Sequence, residues 1–83
     1  MKWQRHINYS ETTIFYETIR VYDFERFGYS VKCPSHLTGV DYIQLKANTR
    51  DEAEKEAIPV LIKKIQERLA LMNEFVVALQ ETL

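Results

Sequence analysis

The residues with the types and spacing to do chemistry are few, and they meet in Cys33-Pro34-Ser35-His36. A cysteine nucleophile needs a histidine in spatial contact and a third group that orients the base. Adjacency in a loop supplies neither, so we interpret the segment as the end of a strand followed by a polar loop. A hydrolase using Cys33 and His36 is the third functional hypothesis, and it predicts that alkylation of Cys33 abolishes activity.

Metal and cofactor signatures do not stand out either. His6, Cys33 and His36 follow no recognised ligand spacing, and structural zinc sites usually take four ligands. Gly28 and Gly39 are the only glycines, so the chain has no Gly-rich loop to cradle a phosphate. The sequence predicts no catalytic residue, no metal ligand and no cofactor, which favours a protein that is not an enzyme.

Length and composition indicate one small domain, with residues 1–48 forming a β-meander and residues 49–83 a helix. A chain of 83 residues is near the lower limit for a self-sufficient core, and such domains often gain stability from oligomerisation. Cys33 is the only cysteine, which excludes an internal disulfide and fits a cytoplasmic protein. The sequence shows no membrane span and no signal peptide, and its net charge of −1 lacks the basic excess of many nucleic-acid binders.

The N-terminal half has the composition of strands. Residues 12–24 are β-branched and aromatic without Gly or Pro, and their imperfect alternation predicts a bulge near residues 17–20 or two short strands. A turn at 25–28, a strand at 29–33 ended by Pro34, a loop at 35–39 and a strand at 40–47 follow. The prediction is an α+β fold with a three-stranded antiparallel meander, to which residues 2–9 add a fourth strand or a loose arm.

The C-terminal half reads as helix. Thr49 and Glu52 match a capping box, in which each side chain accepts a hydrogen bond from a free backbone amide. Pro59 then predicts a bend near Ala57 or the start of a second helix, and residues 60–82 should be continuous.

An apolar seam runs along this helix. Its eight residues recur with the spacing 4-3-4-3-4-3-4, as in a coiled coil, and they are Ile58, Ile62, Ile65, Leu69, Met72, Val76, Leu79 and Leu83. A small sheet is too short to cover a helix of about 50 Å at 1.5 Å per residue, which predicts a homodimer. The expected interface is Ile65, Leu69, Met72, Phe75, Val76, Leu79 and Leu83. The alternative is a helical hairpin that folds back near Met72-Asn73.

The open face of the sheet is the second candidate surface. Alternation places a mixed set of basic, aromatic and amide side chains on one face, namely Arg20, Tyr22, Lys32, Tyr42, Gln44 and Lys46. Such a surface can bind phosphate groups and stack on bases, and it can equally be an ordinary polar sheet surface.

Residues 21–53 resemble the HicB-type antitoxin domain. The resemblance lies in Val21 to Gly39, with its Gly28-Tyr29-x-Val31-x-x-Pro34 strand, and in the helix start Thr49-Arg-Asp-Glu-Ala53. It implies a β-meander and helix that bind and block another protein. The link from 39 to 49 is longer than is usual in that family, a Gly-Asp before Thr49 is missing, and no DNA-binding domain follows.

The element order also looks like the arm-binding domain of phage-type integrases, whose sheet enters a DNA groove. Double-stranded RNA-binding domains share this order but have a basic helix start, whereas Asp51 and Glu52 make this one acidic. We therefore expect a small regulatory or inhibitory protein that binds another protein, is antitoxin-like or phage-inhibitor-like, and dimerises through its helix. The alternative is a nucleic-acid-binding module that uses the sheet face.

Overall fold

The computed structural model describes residues 2–83, which form an antiparallel sheet followed by a long helix. The sheet has five strands in the order β1-β2-β3-β4-β5, so each strand pairs with its neighbour in sequence. The elements are β1 (Gln4–Arg5), β2 (Tyr9–Ile14), β3 (Glu17–Asp23), a 3₁₀ turn (Glu25–Phe27), β4 (Tyr29–Lys32), α1 (Ser35–Thr38), β5 (Ile43–Gln44) and α2 (Arg50–Glu81). The α+β class is confirmed, with five strands where three or four were predicted.

A tight hairpin turn divides the predicted first strand. Phe15 and Tyr16 have φ of 52° and 65°, and Ile14 pairs with Glu17 across them. Positive φ at both central residues is what a two-residue turn of the I′ type requires, although Asn and Gly usually occupy it. The alternative of two short strands is therefore correct, and a bulge at 17–20 is wrong because the β2–β3 register is continuous.

The N-terminal residues belong to the sheet. β1 is an edge strand paired with β2, and Arg50 donates hydrogen bonds to the carbonyls of His6 (2.6 Å) and Ile7 (2.7 Å). Arg5 forms ion pairs with Asp51 and Glu54. The first turn of the helix therefore fastens the connection between β1 and β2.

The predicted third strand is much shorter than expected. Only Ile43 and Gln44 form β5, although the Leu45 N–H still donates to the Tyr29 carbonyl (2.9 Å). The next amide, Lys46 N–H, donates instead to the Glu56 carboxylate (2.9 and 3.0 Å). A side chain from α2 thus draws the backbone away from the sheet.

The core lies between the sheet and the first three turns of α2. Alternate residues of β3 and β4 face the helix, and the helix contributes small side chains that let its backbone approach the strands. The buried apolar residues are Ile19, Val21, Val31, Cys33, Leu45, Ala53, Ala57 and Leu61.

α2 is a single helix of 32 residues, about 48 Å at 1.5 Å per residue. The Thr49 side chain caps it by accepting from the Glu52 N–H (3.2 Å), while the Glu52 carboxylate accepts from the Asn48 N–H (3.0 Å). Pro59 lies inside this helix, so a division into two helices there is wrong. The helix also continues through Met72 and Asn73, which rules out the predicted alternative of a hairpin at that point.

Candidate macromolecule-binding surfaces

The distal half of α2, residues 62–83, leaves its seam uncovered. The buried residues of the helix end at Leu61, and beyond it Leu69, Met72 and Val76 are 50%, 46% and 48% exposed. Of the seven predicted interface residues, Ile65 is half-buried and the others, Leu69, Met72, Phe75, Val76, Leu79 and Leu83, are exposed. The helix therefore brings all seven together on one extended apolar ridge.

Two further apolar side chains, Leu71 and Val77, are exposed outside the seam, at 67% and 52%. They were missed because the predicted interface contained only the heptad positions and the neighbouring Phe75. Their apolar side chains could have indicated a wider interface, since a helix with apolar residues on several sides is usually covered on several sides.

A groove begins where the ridge meets the folded domain. Its volume is about 510 Å³, and its walls come from the β2–β3 hairpin tip and from α1. Ile58, Ile62 and Ile65 line one side as the first members of the seam, and Phe15 and Leu37 line the other. Phe15 is 91% exposed despite its strained backbone, so this wall projects beyond the domain's own core.

Strain at the hairpin tip makes this wall notable. A bulky residue at positive φ is uncommon, and two in succession cost roughly 1–3 kcal/mol each. Strained residues of this kind concentrate at functional sites. Phe15 and Tyr16 gain no core packing in return, because they are 91% and 97% exposed.

The open face of the sheet carries a cluster of aromatic rings. Tyr22, Phe24 and Tyr42 are mutually in contact, with ring centroids 5.5–5.8 Å apart. Tyr9 extends the cluster at 5.6 Å from Tyr22, and His6 stacks on Tyr9 at 4.5 Å. These separations are those of favourable aromatic pairs.

Two cations border the rings. The Arg20 guanidinium lies 4.9 Å from the centre of the Tyr9 ring, and the Lys32 ammonium lies 5.3 Å from that of Tyr42. Arg20 also donates to the Tyr22 hydroxyl (3.1 Å) and to the Glu11 carboxylate (2.6 Å), and both contacts raise its pKa. Lys32 has no comparable carboxylate partner among residues 2–83, so it is the less neutralised charge on this face.

The predicted face is assembled in part. Arg20, Tyr22, Lys32 and Tyr42 lie together, whereas Gln44 uses its amide to donate to the Phe27 carbonyl (2.6 Å). Lys46 lies beyond the end of β5 and outside the cluster. Sequence reasoning missed His6, Tyr9 and Phe24. The pairing of Tyr9 with Tyr22 was hidden because strand β2 was not separated from β3.

The surroundings of Cys33 favour a neutral thiol. Cys33 is buried, and burial, with a smaller effect from Glu17, raises the pKa of its thiol. The His36 Nε2 lies 3.7 Å from the Glu17 carboxylate. A raised pKa keeps the thiol neutral, which is the reverse of the activation that a cysteine nucleophile needs.

Neither a metal cluster nor a membrane helix occurs in the described part of the chain. Between residues 2 and 83, His, Cys, Asp and Glu side chains form no group of three that could hold an ion. No helix within the same range combines the length and the apolar character needed to cross a bilayer.

Comparisons with known proteins give no family assignment. A scan against protein-family models found no match to this chain, and searches of curated proteins and of solved structures found no significant match.

Proposed function

We propose that this chain is a small non-catalytic regulatory or inhibitory protein that forms a homodimer through the distal half of α2 and acts by binding another protein. The observation that carries the proposal is the uncovered seam, where Leu69, Met72, Val76 and Leu79 are each 46–50% exposed. Isolated apolar residues on a surface need no explanation, whereas a continuous ridge of them indicates an interface.

The energetics favour a second helix as the cover. Full burial of a Leu, Met or Val side chain contributes about 1.5–3 kcal/mol, so half-exposed seam residues retain roughly half of that each. Summed over the seams of two copies, this is of the same order as the cost of association, which is about 4–15 kcal/mol. A heptad seam is also the pattern that fits another helix, because its residues insert between those of the facing seam.

The proposed binding site for the target protein is the aromatic face of the sheet. The edge strands β1 and β5 have only two residues each, so they offer little backbone for strand addition. Tyr22, Phe24 and Tyr42 instead provide a partly exposed aromatic surface, and tyrosine is enriched at binding hot spots. The resemblance of residues 21–53 to HicB-type domains, which block a partner protein, agrees with this role.

The test is the mass in solution, measured by light scattering, for the wild type and for Met72→Glu with Leu79→Glu. We expect a wild-type dimer and a folded monomer for the double variant, because each dimer would bury four carboxylates. The matched control is Ala70→Glu with Ala78→Glu, which adds the same charge at exposed positions outside the seam and should remain a dimer. A wild-type monomer at high concentration would contradict the proposal.

A second candidate function is nucleic-acid binding by the same sheet face. It is favoured by the placement of Arg20 and Lys32 beside stacked rings, since aromatic side chains can stack on bases and cations can bind phosphate. Single-stranded RNA and DNA oligonucleotides should then bind with an affinity that falls steeply with salt, because counterions are released. Lys32→Ala should reduce the salt slope, and salt-independent binding of a protein target would instead favour the first function.

A further inference from the structure

The ridge and the groove are complementary parts of one seam. The groove is concave, and the hairpin tip at Phe15 and Leu37 of α1 flank the seam at Ile58 and Ile62. The ridge is convex, and between Leu69 and Leu83 no element of residues 2–83 covers the seam. The groove near Ile58 and Ile62 is therefore open to a ligand, and the ridge from Leu69 to Leu83 has an apolar, convex shape that could fill it.

We infer that two copies pair with their α2 helices antiparallel, so that the distal ridge of each copy fills the hairpin groove of the other. The inference rests on the proposed function, because it assumes a homodimer through this helix. It adds the orientation, the register and a contribution from the β2–β3 hairpin to the interface.

The seam residues support one antiparallel register. In antiparallel coiled coils an a position faces a d position of the other helix. Aligning Leu69 with Met72 of the second copy places Ile62 opposite Leu79, and every remaining seam residue then also faces a seam residue. The resulting pairs are Ile58 with Leu83, Ile62 with Leu79, Ile65 with Val76 and Leu69 with Met72.

This register fills the groove. Ile58 and Ile62 line it, so their antiparallel partners Leu83 and Leu79 would enter it. Moving the alignment by one heptad toward the C-terminus would leave both isoleucines without a partner. The register that pairs every seam residue is therefore also the one that covers the exposed wall at Phe15.

Charge favours the same orientation. Residues 62–70 carry Lys63, Lys64 and Arg68 against Glu67, a net charge of +2, and residues 71–83 carry only Glu74 and Glu81, a net charge of −2. Antiparallel helices place the basic half of one copy beside the acidic half of the other, whereas parallel helices place like charges together.

The acidic distal half is also unfavourable within a single chain. Glu74 and Glu81 lie toward the negative end of the dipole of α2, and the last turn contains no basic residue. A parallel pair would double this effect and would bring the two hairpin tips to the same end. An antiparallel pair gives each acidic end the lysines of the other copy.

The test measures the distance between spin labels on Gln80→Cys, an exposed position beside the seam. In the antiparallel register residue 80 lies opposite residue 61 of the second copy, so pulsed electron paramagnetic resonance should give about 30 Å at 1.5 Å per residue. Wild type, treated with the same label, controls for reaction at buried Cys33.

The outcomes separate the two proposals. A dimer with a label distance of about 30 Å supports the inference, and a dimer with labels within roughly 15 Å means parallel helices and overturns it while leaving the proposed function intact. A monomer by light scattering overturns both, and would assign the groove and ridge to a different protein. As a second measurement, mixed Ile62→Cys and Leu79→Cys chains should form a cross-linked heterodimer with a short bismaleimide, whereas neither variant alone should cross-link.

Phe15→Asn tests the groove itself. Asn tolerates positive φ and belongs in this type of turn, so the variant should unfold no more readily than wild type. It removes an aromatic wall that the second copy would cover, so the dimer dissociation constant should rise about tenfold. Tyr16→Asn, at the adjacent turn position that does not line the groove, is the control. An unchanged dissociation constant for Phe15→Asn would exclude the hairpin from the interface.

Discussion

The two halves of α2 differ in what they bury. In residues 50–61 the inward positions are Ala53, Ala57 and Leu61, with 0%, 0% and 4% exposure, and the small alanines let the helix lie close to the sheet. In residues 62–83 the apolar seam lies about a quarter turn around the helix from Ala53 and Ala57, its side chains are larger, and none of them is buried. The helix thus packs on its own sheet through small side chains and leaves a separate face of larger apolar side chains exposed.

The largest expected effects come from the same truncation made in each half. Leu61→Ala should lower the free energy of unfolding by about 2–5 kcal/mol, because it opens a cavity in the core, and this loss should remain at concentrations too low for assembly. Leu69→Ala should instead weaken association. The resulting loss in the free energy of unfolding should therefore grow with protein concentration over the range in which the wild type assembles. Urea unfolding at two concentrations measures both. A loss for Leu69→Ala that is the same at every concentration would mean that the distal half packs on its own domain.

Pro59 lies in the last turn of the first half. Proline removes the amide that would donate to the Lys55 carbonyl and costs up to about 3 kcal/mol inside a helix, so Pro59→Ala should raise the melting temperature. Glu67→Ala, at an exposed position of the same helix, should change stability by less than about 0.5 kcal/mol. A drop in melting temperature for Pro59→Ala would indicate that the domain depends on the backbone shape that proline imposes.

The two ends of α2 should respond differently to loss of a threonine hydroxyl. Thr49→Ala removes the acceptor for the Glu52 N–H and should cost about 1 kcal/mol, since this end is anchored to the domain. Thr82→Ala removes a hydroxyl that donates to the Leu79 carbonyl at the end of α2 that lies away from the core, so the core should stay folded and the loss should be smaller. Thermal unfolding of both variants is the measurement, and equal losses would contradict the difference between the halves.

The smallest effect is a pH dependence at the anchored end. The hydrogen bond from Arg5 lowers the pKa of Asp51, so this ion pair stabilises the fold above the unfolded-state pKa of about 3.9 and is lost as the pH falls through the lower folded value. Acid should loosen β1, which amide exchange of residues 4 and 5 would detect. Arg5→Gln should remove the pH dependence, and acid-induced exchange that persists in this variant would assign it to another group.

Much of α2 could be predicted from sequence because its signals are local. Thr49 and Glu52 lie one turn apart and form the cap, although Glu52 bonds Asn48 rather than Thr49. The seam spacing predicted an apolar ridge, and Met72 and Leu79 are 46% and 50% exposed because the short sheet does not reach them.

The sheet was harder to predict, for two physical reasons. Phe15 and Tyr16 have high strand propensity, so nothing in their types announced a turn that Asn and Gly normally form. The end of β5 is set by a tertiary contact, since the carboxylate of Glu56 accepts from Lys46 N–H across ten residues of sequence. Because this turn was not predicted, the pairing of Tyr9 with Tyr22 was not predicted either, and Tyr9 was left out of the predicted sheet face.

The sequential order of the strands has a consequence for the rate of folding. Because every strand pairs with the next one in the chain, forming the sheet closes only short loops, and domains rich in such local contacts fold quickly. Each monomer can therefore complete its hairpins and dock residues 50–61 in a step independent of concentration. Assembly through residues 62–83 would follow as a slower bimolecular phase, and its rate would rise with protein concentration while the first phase stayed constant.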